Sequence, residues 1–272
     1  MPTLLTIPFS HFCEKARWSL DHAGVDFREE GHVPGLHRAA VKRARGAGSV
    51  PVLVLDDGRV LDDSPLIVRW ADAQAPEERK ILPAAGPDRD EALALERRLD
   101  LDFAPHVRRL AYFHLLSDQA RTRALMGVRT PRWERSLLRV GFPLLRTLMR
   151  RSMRIDDRGA ARSREKVRGI FDEVGRRLAD GRRYLLGDRL GVADIAFASF
   201  SAVIVRPAEH PFYAAPSLAP SPAMQQEVEA LIDTAAARFA VRLYRDHRRR
   251  QGAESAASAA DDGRTVSRLR AN

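Results

Sequence analysis

The first 80 residues alternate short apolar runs with polar turns. Thr3 to Ile7 reads as a strand, and Glu14 to Ala23 as a helix that Gly24 ends. Val52 to Leu55 is a second apolar strand, Asp56-Asp57-Gly58 signals a hairpin turn, and Arg59 to Leu61 returns. Ser64 to Gln74 then reads as a closing helix, with Ser64-Pro65 supplying cap and first turn. The order is that of an α/β unit, βαβ followed by ββα.

Beyond Pro83 the pattern turns helical throughout. Leu95, Leu99, Phe103, Val107 and Leu110 fall at helical spacing, as do Val167, Ile170, Phe171, Val174 and Leu178. Ala193 to Val205 is apolar almost all round, the signature of a helix central to a bundle. Met224, Val228, Leu231, Ile232, Ala235 and Phe239 make a further amphipathic face. From Arg248 onward small and charged residues predominate, too few of them apolar to bury a core. We therefore expect an α/β domain at 1–82, an all-helical bundle domain at 90–247 and a disordered tail at 248–272.

Composition agrees with a globular chain: of 272 residues, 44% are hydrophobic and 30% charged. Wholesale disorder and a disulfide-stapled miniature are excluded. The single cysteine, Cys13, cannot form an intramolecular disulfide, which fits a reducing cytoplasm. No apolar run approaches the ~20 residues of a membrane span. The net charge of +10 is less ordinary, and 42 of the 46 basic residues are Arg. Residues 1–80 carry a net −1, whereas residues 129–168 alone hold 13 basic and 4 acidic side chains. The excess therefore belongs to the helical part.

Three segments carry candidate chemistry. Ser10-His11-Phe12-Cys13 lies between the first strand and first helix with the spacing of a redox C-x-x-C, Ser10 in the first place and Cys13 in the second. A helix start favours a thiolate, and a Ser hydroxyl there either caps the helix or donates to a sulfur. Val50-Pro51 precedes a strand, either as an ordinary strand-opening proline or as a cis turn that leaves the Val50 backbone free to pair with an extended peptide. Asp63-Ser64 is a good N-cap; it is equally able to hold a carboxylate on Ser64 and an ammonium on Asp63. His32, His37, His106 and His114 have no metal-ligand spacing, so no metal site is expected.

In this order and spacing the three segments resemble the thioredoxin-like N-terminal domain of the glutathione S-transferase superfamily. Tyr184 to Asp194 is similar to that family's lead into its buried central helix, with Gly191 standing where Ser or Thr is usual. The resemblance implies a thioredoxin-like domain followed by a helical domain, a homodimer, and a transferase joining glutathione to a small electrophile. It makes Ser10 the donor to the glutathione sulfur, Val50 the backbone partner of the tripeptide with Pro51 shaping that turn, and Asp63 and Ser64 the holders of its γ-glutamyl end. Glutathione enters as co-substrate, and an apolar pocket between the domains is expected to take the electrophile.

Two rivals remain open. One is a glutathione-dependent thiol–disulfide reductase that uses Cys13. The other is a non-catalytic module of the same fold that binds an anionic partner or membrane through residues 129–168, where arginines interleave with Trp133, Leu137, Leu138, Phe142, Leu144, Leu145, Leu148, Met149 and Met153.

Overall fold

The computed structural model describes residues 1–213 and 219–248. The expected tail lies outside the described residues, apart from Arg248 itself. The α/β part runs β1 (Thr3–Thr6), α1 (His11–Ala23), β2 (Arg28–Gly31), α2 (His37–Arg43), β3 (Val52–Val54), β4 (Val60–Asp62) and α3 (Ser64–Gln74). The sheet order is β2-β1-β3-β4, with β2 parallel to β1 and the other two pairings antiparallel. Gly24 ends α1 in the left-handed conformation at φ 75°, which favours glycine. α1 starts at His11, three residues before the apolar pattern places it.

On one sheet face, Ala16 and Leu20 of α1 and Ile67 and Ala71 of α3 pack over Leu4 and Leu53. On the other face Val41 of α2 covers Leu5 and Val52. The alternation Leu4 in, Leu5 out is what a two-sided sheet requires. The pattern gave no sign of β2, an edge strand of sequence Arg-Glu-Glu-Gly, nor of α2, only seven residues long.

The helical part comprises α4 (Pro87–Arg98), α5 (Ala104–Leu115), α6 (Gln119–Met126), α7 (Arg132–Ser152), α8 (Asp157–Arg177), α9 (Val192–Val205), α10 (Pro222–Glu229) and α11 (Ala235–His247). The stripe from Leu95 to Leu110 is continuous in sequence, but a π turn at Leu99–Phe103 divides α4 from α5. Pro105 has no N–H to give and its ring crowds the preceding turn, so the wider turn accommodates it. The stripe from Met224 to Phe239 is likewise two helices. α9 is buried along nearly its whole length, as its composition requires.

Asp194 holds the start of α9, accepting hydrogen bonds from the amides of Leu185 (2.9 Å) and Gly191 (2.7 Å). Burial pushes its carboxyl up to about 7, against those two bonds. Gly191 has no hydroxyl to return the bond, so the cap is one-sided. The two parts are joined through buried charge. Lys15 on α1 lies 2.8 Å from Glu96 and 2.7 Å from Asp100.

Candidate active site

Strand register brings the three candidate segments to one end of the sheet. Leu5 opposes Val52, and Val52 opposes Asp62. The loop after β1 that carries Ser10, the turn before β3 that carries Val50, and Asp63 just after β4 therefore emerge side by side. α1 and α3 pack together and both start at this end, so two helix N-termini face one place.

Ser10 is the N-cap residue of α1, with extended backbone (φ −72°, ψ 128°), yet its side chain makes no capping bond. The turn is held by the backbone instead: the Ser10 amide donates to Ile7 (2.8 Å) and its carbonyl accepts from Glu14 (2.9 Å). The half-buried hydroxyl makes no capping bond and lies within hydrogen-bond reach of the Cys13 thiol. Cys13 sits one turn further in and is completely buried. Burial pushes its thiol up to about 12, although Arg17, the Ile7 backbone and the Ser10 side chain pull the other way.

The Val50–Pro51 peptide bond is cis. β3 enters the ladder only at Val52, so the N–H and C=O of Val50 stand outside it. At the third segment Asp63 accepts from the Ser64 amide at 2.7 Å. Its backbone lies at φ 153°, ψ 152°, a region favoured by glycine. Ser64 is completely buried, and its Oγ has no hydrogen-bond partner. A buried hydroxyl left unpaired costs about 1–3 kcal/mol.

Sequence reasoning missed the residues that frame this end. Arg17 reaches from α1 to the Pro8 carbonyl (3.2 Å), beneath the Ser10 loop, and pairs with Glu29 on β2 (2.5 Å) and with Glu14. Phe9 belongs to an apolar cluster that includes Tyr112 and Leu116 from α5 and its C-terminal end, and Leu138 and Phe142 of α7. Glu134 of α7 clasps the loop after β2, accepting from the Val33 amide and contacting His32 Nδ1, each at 2.6 Å. Gly31 has no room for a β-carbon, because the Arg129 carbonyl and the Pro8 ring fill that place. A helical stripe does not say which neighbour it will face, so no signal in the sequence pairs α7 with this loop.

Asp100, on the π turn, is drawn into the same electrostatic neighbourhood. Burial pushes its carboxyl up to about 6, Lys15 opposes this, and Glu96 and Asp63 add to the rise. A small cleft lies elsewhere, among α5, α6, α9 and the segment before α10, with His114, Asp118, Arg121, Arg206 and Tyr213 on its walls. None of the candidate residues lines it. It belongs to the helical part alone, not to the junction where the electrophile pocket was expected.

Residues 4–79 match the family model for the N-terminal domain of glutathione S-transferase, and residues 157–220 the model for its C-terminal domain. Residues 80–156 fall outside both matches. No curated protein sequence matches the chain. Among solved structures, a glutathione S-transferase of Ceriporiopsis subvermispora, in complex with glutathione, is similar at TM-score 0.62 and 19% identity, covering 93% of this chain and 99% of that one. A glutathione S-transferase of Sinorhizobium meliloti 1021 is similar at TM-score 0.55 and 21% identity, over 90% of this chain and 98% of that one. At these identities the structures speak for the fold, a thioredoxin-like domain followed by a helical one. With both family models matched in chain order over just over half of its length, the chain belongs to the glutathione S-transferase superfamily.

Proposed function

We propose that this chain is a glutathione transferase that joins the glutathione thiolate to a small electrophile. The observation that carries the reading is the buried, unpartnered Ser64 Oγ at the start of α3, beside Asp63 in its strained backbone conformation. In this reading Ser64 and the first-turn amides of α3 hold the γ-glutamyl carboxylate. Asp63, with Asp100 close enough to act on it electrostatically, supplies negative potential for the ammonium. Val50 pairs through its backbone with the tripeptide, and Pro51 shapes that turn. A known glutathione complex of the same fold, that of the Ceriporiopsis subvermispora protein, supports this ligand.

Ser10 then donates to the glutathione sulfur. A thiol near ~8.5 must shift by about 1.5 units, or about 2 kcal/mol, to be half ionised at pH 7. A hydroxyl bond to a charged acceptor contributes roughly 1.5–3 kcal/mol, and the start of α1 adds to it. The thiolate attacks the electrophilic carbon, a C–S bond forms, and the leaving group departs with its electron pair. Tyr112, partly exposed in the same apolar cluster as the buried Phe9, offers apolar surface against which the electrophile would lie.

Calorimetric titration with glutathione tests the site directly. Wild-type protein should bind in the millimolar range or tighter, and Ser64→Ala should weaken binding by about tenfold or more. No detectable binding to the wild type at millimolar glutathione would end the proposal. Disulfide exchange through Cys13 is disfavoured by full burial and a thiol pushed up to about 12. Cys13→Ala should accordingly keep its conjugation rate within about twofold of wild type, since no thiolate chemistry is lost. A loss beyond tenfold, with folding intact by circular dichroism, would return Cys13 to the reaction.

A further inference from the structure

α7 has two apolar faces, and only one is covered. Leu138, Phe142 and Met149 are buried in the cluster that includes Phe9 and Leu116. Trp133, Leu137, Val140, Leu144 and Leu148 lie within about 80° of one another round the helix and form a second stripe. They are 59%, 52%, 84%, 66% and 55% exposed, and they account for five of the eight exposed large hydrophobic residues among those described. Isolated exposed leucines need no explanation, whereas five in line on one helix mark a contact surface. α7 lies outside both matched family segments, so the family match assigns this surface nothing.

The stripe is nearly neutral. Ser136, Gly141 and Thr147 are its exposed flanks, within about 80° of its centre, whereas Arg132, Arg135, Arg139, Arg146 and Arg150 stand about 120–180° away. Glu134 is turned inward onto His32 and Val33. Arg151 alone shares the direction of the stripe, and it follows Leu148 at the end of the helix. A helix that lies on an anionic lipid surface carries cations along the edges of its apolar face, and nucleic acid needs them at the contact itself. Neither arrangement is present on this side of α7. An apolar centre depleted of charge, with an aromatic residue in it, is the composition of a protein–protein interface.

The order of residues in the stripe selects the partner. Trp133 and Leu148 are equally far along the chain from the bond between Val140 and Gly141, and so are Leu137 and Leu144. An antiparallel copy related by a two-fold axis through that point sets Trp133 against Leu148, Leu137 against Leu144 and Val140 against Gly141. Val140, the most exposed of the five, thus meets the one position without a side chain, where a β-carbon would find open space. Arg151 passes beyond the end of the opposing stripe and the other arginines face away, so like charges are not pressed together. At their exposures the five side chains offer on the order of 500–600 Å² per copy. The pair therefore buries about 1,000–1,200 Å², which meets the lower bound for a specific interface. We propose that α7 joins two copies of this chain, antiparallel, through this stripe. The inference stands independently of the glutathione reading.

Sedimentation equilibrium of the full-length chain at about 10–100 μM should show an assembly whose mass Val140→Glu/Leu144→Glu cuts by half, because four carboxylates would then meet across the axis. Both side chains are exposed, so thermal melting and glutathione titration should not change. A second readout does not depend on that double variant. Val140→Cys, oxidised with copper–phenanthroline, should give a disulfide-linked dimer on a non-reducing gel, and the one native cysteine, Cys13, is buried and does not compete. Arg135→Cys, on the opposite side of α7, should stay unlinked. A wild type that is monomeric across this range overturns the proposal. So does a mass that the double variant leaves unchanged, or equal cross-linking at positions 135 and 140. Vesicle binding by a monomeric wild type, lost in the double variant, would assign the stripe to lipid and overturn it as well.

Discussion

Ser10→Ala is expected to lower kcat/KM for conjugation by about 10- to 150-fold at neutral pH, the equivalent of one hydrogen bond of 1.5–3 kcal/mol to a charged acceptor. The direction follows from the site. Ser10 occupies the cap position of α1 without a capping bond, and its hydroxyl has only the neutral, buried Cys13 thiol to compete with a ligand thiolate. Removing a donor to a thiolate raises the pKa of that thiol. The pH–rate profile should therefore move to the alkaline side by about 1–2 units, and the variant should approach wild type above the shifted pKa. Thermal stability should change little, because no capping bond is lost. Glutathione affinity at pH 6, where the thiol is protonated, should also hold. A profile that does not move on Ser10→Ala would remove Ser10 from the chemistry and leave it a turn residue.

The largest stability effect should come from Glu14→Gln. Glu14 is buried on α1, where it pairs with Arg17 and with Arg248 at 2.7 Å, while Tyr244 donates to it at 3.4 Å. Arg248 in turn reaches Asp21 at 2.7 Å, and Arg17 reaches Glu29. One carboxylate thus joins α1, β2 and the end of α11. Removing one member of a buried ion network leaves uncompensated charge and costs about 3–5 kcal/mol, or roughly 10 °C in Tm for a chain of this size. Burial would raise the Glu14 pKa, but Arg248, then His210 and Arg17, reverse this and hold it down at about 2. Its contribution is complete above about pH 4.5 and is lost as pH falls from there towards 2. The gap in stability between wild type and Glu14→Gln should accordingly be full at pH 7 and narrow below pH 4.5. Equal denaturant midpoints at pH 7 would show that the network contributes nothing net.

Much of this was legible in the chain because the relevant signals are local. Gly24, Asp56-Asp57-Gly58 and Ser64-Pro65 mark the ends of their elements by backbone chemistry that needs no neighbour, and the structure has α1, the β3–β4 hairpin and α3 where they indicate. The grouping of Ser10, Val50 and Asp63 at one end of the sheet follows from strand direction. β2 stayed hidden because Arg28, Glu29 and Glu30 show no apolar alternation; β2 is fixed by pairing with β1, and Glu29 by Arg17 and Thr6. Composition groups Arg248 with the tail, yet it is buried against Trp18 and Glu14. A single anchor of that kind leaves no periodicity to find. α7 failed to declare its orientation for the opposite reason: with apolar residues on two sides, its pattern permits either side to be the core.

Position 63 shows what a ligand site asks of a small domain. Glycine there would relax a φ of 153° and steady the fold, and would remove the carboxylate proposed to meet the glutathione ammonium. Selection for heat resistance and selection for ligand capture therefore pull this residue in opposite directions. If Asp63 holds the ligand as proposed, an aspartate kept against its own backbone preference is the mark of the second.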